Sequence, residues 1–112
     1  MDKRLIRIAK HYGYEAQSRQ LIEEMAELTQ ALNKLWRAGH VHLNGSYEGY
    51  EQCESIEICR TDVIGEMADV KICLEQLAYF IDVAPEEIQQ DMEIKIIRQL
   101  ERMEREENEK HD

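Results

Sequence analysis

Two long stretches of this chain repeat apolar residues at alternating spacings of four and three, and no proline interrupts either. The first, Glu15 to Arg37, carries Leu21, Met25, Leu28, Leu32 and Leu35. The second, Ser55 to Asp82, carries Val63, Met67, Val70, Leu74, Leu77 and Ile81. A strand alternates every second residue and rarely runs this long, so a period near 3.6 predicts two amphipathic helices. One proline and five glycines leave the 112-residue chain few breaks, which favours an all-helical fold.

A shorter helix is expected over residues 2–11, with Leu5, Ile6 and Ala9 on its apolar side and an end at His11-Tyr-Gly-Tyr14. Gly39 stops the second helix. Residues 39–54, with three glycines, an Asn and a Ser, read as a loop insertion. Pro85 followed by Glu86 and Glu87 opens a fourth helix, because proline fits the first turn and acids there suit the macrodipole. Its stripe is Ile88, Met92, Ile96, Leu100 and Met103, and its tail, 104–112, is expected to be solvated and frayed. The third helix has a second apolar side, Ile64, Ala68 and Ile72. A helix apolar on two sides has neighbours on both, so the expectation is one domain over 1–112, an all-α bundle of four to five helices completed by a homodimer or homotetramer.

A net charge of −10 argues against binding nucleic acid through its phosphates, which needs a basic face. No segment is apolar for long enough to span a membrane. Cys53, Cys59 and Cys73 are odd in number, with no signal-peptide pattern before them, so the reading is a cytoplasmic protein with reduced thiols. His40 and His42 with Cys53 and Cys59 do not follow the common zinc spacings. Trp36 with Tyr47 or Tyr50 could stack on a base, although aromatic residues near helix ends more often cap a core. The methionines at 25, 67, 92 and 103 read as core filler, and Cys73 as a core thiol.

The acids carry the chemistry. Glu23, Glu24 and Glu27 lie in Leu21-Ile-Glu-Glu-Met-Ala-Glu-Leu28, and Glu66 and Asp69 lie in Ile64-Gly-Glu-Met-Ala-Asp-Val70. Glu24 with Glu27, and Glu66 with Asp69, are three apart and project from nearly one side of a turn. Each such like-charged pair weakens a helix by about 0.2–0.5 kcal/mol. In a chain with 24 acidic residues some pairs of this kind are ordinary solvated surface. Here both pairs flank the stripes of the two long helices, and small Ala26 and Ala68 would let the backbones approach. If the stripes pack antiparallel, both pairs meet at one edge of the core. Oxygen-only ligands then favour a hard divalent cation, Mg²⁺ or Mn²⁺.

The run Leu21–Leu32 followed by Glu66–Leu74 resembles the paired E-E-x-x-E and E-x-x-D motifs of the MazG-like all-α nucleoside triphosphate pyrophosphohydrolases, a plan shared by the dimeric dUTPases. The resemblance covers roughly half of the chain. It implies a Mg²⁺-dependent cleavage of a nucleoside triphosphate into the monophosphate and pyrophosphate. By position, Glu24, Glu27, Glu66 and Asp69 match the metal ligands, and Glu23 matches the leading Glu, which in such sites can hold a second metal or orient the water, with a spare carboxylate to accept its proton. On the fourth helix Lys95 and Arg98 match a basic patch that grips phosphates, with Met92 where the family often carries an Asn. The alternatives are a homologue that binds metal and nucleotide without turnover, or a helical interaction protein.

Overall fold

The computed structural model describes the backbone of residues 1–41, 47–49 and 53–111, and the side chains of residues 1–39 and 56–110. The order is α1 (Lys3–Tyr12), α2 (Tyr14–Ala38), β1 (Gly39–Val41), β2 (Tyr47–Gly49), α3 (Cys53–Phe80) and α4 (Pro85–His111). The chain divides into two compact units, Met1–Phe80 and Ile81–Asp112. The fold is helical, as the periodicity predicts, apart from one two-stranded sheet.

That sheet lies in the segment read as a loop insertion. β1 and β2 pair antiparallel, with Gly39 opposite Gly49, His40 opposite Glu48 and Val41 opposite Tyr47. Pairs of three-residue strands carry too little periodicity to be read from sequence. Gln17 of α2 hydrogen-bonds Gln76 of α3 while Glu24 meets Glu66 and Asp69, so the two long helices run antiparallel.

Asp2 caps α1 by accepting a hydrogen bond from the Arg4 N–H at 2.9 Å. Gly13 ends it with φ +88°, a conformation that suits glycine, and its N–H donates to the Ala9 carbonyl at 2.8 Å. Ala9 is fully buried, and Tyr14 meets the edge of Phe80 at 5.7 Å between ring centroids.

The α2–α3 seam differs from the expected stripes. Leu21, Leu28 and Leu35 recur every seven residues and do turn inward, but the rung between them falls three residues on, not four: Glu24, Ala31 and Ala38. In α3 the same shift adds Glu66, Cys73 and Phe80 to Val63, Val70 and Leu77. Met25 and Met67, expected in the core, are 43% and 50% exposed, and Leu32, Leu74 and Ile81 are exposed as well. Small Ala31 and Cys73, both buried, let the backbones approach along this choice of rungs.

In the second unit Asp82 adopts φ +54° in the turn before α4. The Ala84 N–H donates to Glu87 Oε2 at 2.8 Å, while the Glu87 N–H donates to the Ala84 carbonyl at 3.0 Å. This reciprocal cap explains the helix start expected at Pro85. The tail expected to fray is helical through His111, because Glu, Arg and Lys favour helix and no Gly or Pro breaks it. Met92 and Met103, expected as core filler, are exposed.

Candidate functional site

The shifted rungs place Glu24 of α2 and Glu66 of α3 inside the seam, half-buried, where the sequence put them beside it. Burying a Met or Leu side chain fully stabilises a fold by about 1.5–3 kcal/mol. This seam leaves Met25, Leu32, Met67 and Leu74 largely outside and takes in two carboxylates instead. A local rule broken in this way is the usual mark of a functional position.

One carboxylate oxygen from each of Glu24, Glu66 and Asp69 lies within 4.8 Å of the other two. Asp69 is exposed and forms the open side of the trio. Glu24 Oε1 accepts from Gln20 Nε2 at 2.7 Å, one turn earlier on α2. Glu24 Oε2 and Glu66 Oε2 are buried without a hydrogen-bond partner. Burial, then the charges of Glu27, Glu24 and Asp69, and last a hydrogen bond that the protonated Glu66 carboxyl can donate to Glu24, hold the Glu66 carboxyl above the usual carboxylate range.

Glu27 is therefore near enough to act on Glu66, but it is exposed and stands outside the trio. Glu23 is exposed on α2. Lys95 and Arg98 are exposed on α4, in the second unit, and Lys95 Nζ pairs with Asp91 Oδ2 at 3.1 Å. An exposed i,i+4 pair of this kind is worth about 0.3–0.5 kcal/mol and gives way readily to a stronger anion.

The residues fit a hard divalent cation on two grounds. The donors are all oxygen, and Glu24 and Glu66 each have one oxygen that is buried with no hydrogen-bond partner. Sequence reasoning missed Gln20. Its signal was present, since an amide four residues before an acid on a helix can reach it.

Cys73 lies one turn beyond Asp69 and is buried. Burial, and then the charges of Glu24 and Asp69, push its thiol up, so it stays protonated and acts as the core thiol expected. Trp36 is 78% exposed, so within this chain it caps no core. The side chains of His40, His42, Tyr47, Tyr50 and Cys53 lie outside the described residues. No helix among the described residues is long and apolar enough to cross a membrane.

Comparison with protein-family models, with curated proteins and with solved structures found no match to this chain.

Proposed function

We propose that the chain is a Mg²⁺-dependent nucleoside triphosphate pyrophosphohydrolase of the MazG-like all-α type, with Mn²⁺ as an alternative cation. The observation that carries the reading is that two members of a converging carboxylate trio, Glu24 and Glu66, each have a buried oxygen, Oε2, without a hydrogen-bond partner. Such a trio is repulsive alone and complete around a cation. The order and spacing of the acids, which resemble that family's paired motifs, support the rest.

Glu24, Glu66 and Asp69 would hold the ion, with Glu27 as a further ligand from the open side. The bound ion would supply neutralising charge for phosphate oxygens and a more acidic water. Glu23, one residue before Glu24, would orient that water or accept its proton. Lys95 and Arg98 would neutralise the triphosphate. Water adds across the α–β phosphoanhydride, giving the monophosphate and pyrophosphate. The net charge of −10 fits this division of labour, since a bare triphosphate would be repelled by the chain itself.

A homodimer or homotetramer goes with this reading. Ile64 and Ile72 on α3, and Ile22 and Trp36 on α2, are exposed in the single chain, more apolar surface than a monomer of this size usually shows. A cytoplasmic location suits both the nucleotide substrate and the free thiols of Cys59 and Cys73.

The test is a panel of canonical and modified NTPs and dNTPs with Mg²⁺ or Mn²⁺, scored for pyrophosphate. Release of pyrophosphate with a monophosphate is expected. Inorganic phosphate with a diphosphate would assign a different phosphohydrolase. No turnover across the panel would leave a protein that binds without hydrolysis.

A further inference from the structure

Among the described residues Gln76 is the one polar side chain in the buried set, at 1% exposure. Its Oε1 accepts from Gln17 Nε2 at 2.9 Å, and its own Nε2 donates to the Ile72 carbonyl at 3.4 Å. The pair joins α2 to α3. Its position in the sequence is informative. Gln17 precedes Glu24 by seven residues, and Gln76 follows Asp69 by seven. In antiparallel helices both steps run the same way along the seam, about 10 Å at 1.5 Å per residue. Gln17–Gln76 and Glu24–Asp69 thus lie one heptad apart in a single register, with Leu21 and Cys73 between them.

We propose that the Gln17–Gln76 amide pair is the positioning element of the carboxylate centre: it locks the axial register of α2 against α3 and so makes Glu24, Glu66 and Asp69 converge. The inference rests on the reading of that centre as a cation site. The apolar seam residues, among them Leu21, Leu28, Val63, Val70 and Leu77, make contacts without direction, and apolar burial alone tolerates a slide. A slip of one helical turn is about 5.4 Å, which exceeds the 4.8 Å span of the trio and would disperse it. The carboxylates themselves favour dispersal until a cation joins them. The amide pair opposes it, because a slipped seam strands a buried amide without its partner. A single buried polar pair that fixes register is an established device in coiled coils.

The test replaces both amides by an apolar side chain of similar length, Gln17→Met with Gln76→Met. Removing both partners together leaves no stranded amide, so the metal-free protein is expected to melt at the wild-type temperature or above. Its NMR spectra are expected to show more than one set of NOEs between α2 and α3, where the wild type shows one. Its affinity for Mn²⁺ is expected to fall about tenfold or more, because a slipped register separates the three carboxylates, a loss at least as large as that of an outer-shell partner. Retention of a single wild-type set of NOEs in the double variant would overturn the proposal, whatever the Mn²⁺ affinity. A wild type that binds no Mn²⁺ would overturn the cation site and leave the NOE comparison to decide the register. Should the double variant fail to fold, Gln17→Met alone, which alters only the half-buried partner, is read by the same two measurements.

Discussion

Glu24 and Glu66 meet inside the α2–α3 seam, each with one buried oxygen that has no hydrogen-bond partner while both carboxylates are ionised. Two half-buried carboxyl groups approach each other where apolar side chains were available. Like charges brought this close cost stability, and on the proposed cation-site reading a bound divalent ion would offset that cost.

Mg²⁺ is therefore expected to raise the melting temperature. An ion that binds only the folded state stabilises it by about 2.7 kcal/mol at a hundredfold excess over Kd, a shift on the order of ten degrees for a domain this small. Glu66→Gln is expected to abolish the response and to raise the metal-free melting temperature at neutral pH. Calorimetry of both proteins with and without Mg²⁺ checks this. An equal response in wild type and variant would remove Glu66 from the site.

The pH dependence of the metal-free protein follows from the same carboxyl. The folded-state pKa of Glu66 is raised above its ordinary value, so the folded protein holds this proton where the unfolded chain has lost it. Stability from Glu66 is present below the ordinary carboxylate pKa and is lost as pH rises through the raised one. Denaturant titrations at successive pH values are expected to show stability falling across that window, and Glu66→Gln is expected to flatten the fall. Asp2 acts in the opposite sense. Its hydrogen bond with Arg4 lowers its pKa to about 2, so its contribution is lost only as pH falls towards that value.

Gly65 stands inside α3, beside Glu66, and a methyl group added there meets nothing within 4 Å. Gly65→Ala is expected to stabilise the isolated fold by about 0.5–1 kcal/mol through helix propensity alone. Urea denaturation measures it. A loss of stability would mean that this face of α3 is closely covered in the assembled protein.

Ile72 is 42% exposed on α3. Ile72→Lys is expected to give a smaller particle or an insoluble one in sedimentation, because a charge at a covered apolar position blocks the contact. A wild type that sediments as a monomer at micromolar concentration would remove the oligomer.

The helices were legible because their apolar period is long and their ends carry strong signals, as at Gly13 and Pro85. The seam was only half legible. Leu21, Leu28 and Leu35 fit either choice of intervening rung, and greasier side chains favour Met25 and Leu32 over Glu24 and Ala31. No single-sequence rule predicts a carboxylate in a core, since its compensation comes from a partner on another helix or from outside the chain. Glu24, Glu66 and Asp69 were legible as candidates for that reason: acids three apart are visible in sequence, whereas the depth at which they sit is set by packing. Gln76 was invisible, because its meaning depends on Gln17, far away in the chain.

The hairpin at Gly39–Gly49 closes one end of the α2–α3 pair, and the Gln17–Gln76 amides tie the other. Between those ties, flanked by buried Leu21 and Val63, lie Glu24 and Glu66, whose Oε2 atoms have no hydrogen-bond partner. Local opening would centre on that turn, with hydrogen exchange faster at its amides than at those of the buried turns beside it. Water and small solutes would enter through that opening, so filling and emptying of the centre would follow the breathing of the pair and not the unfolding of the chain.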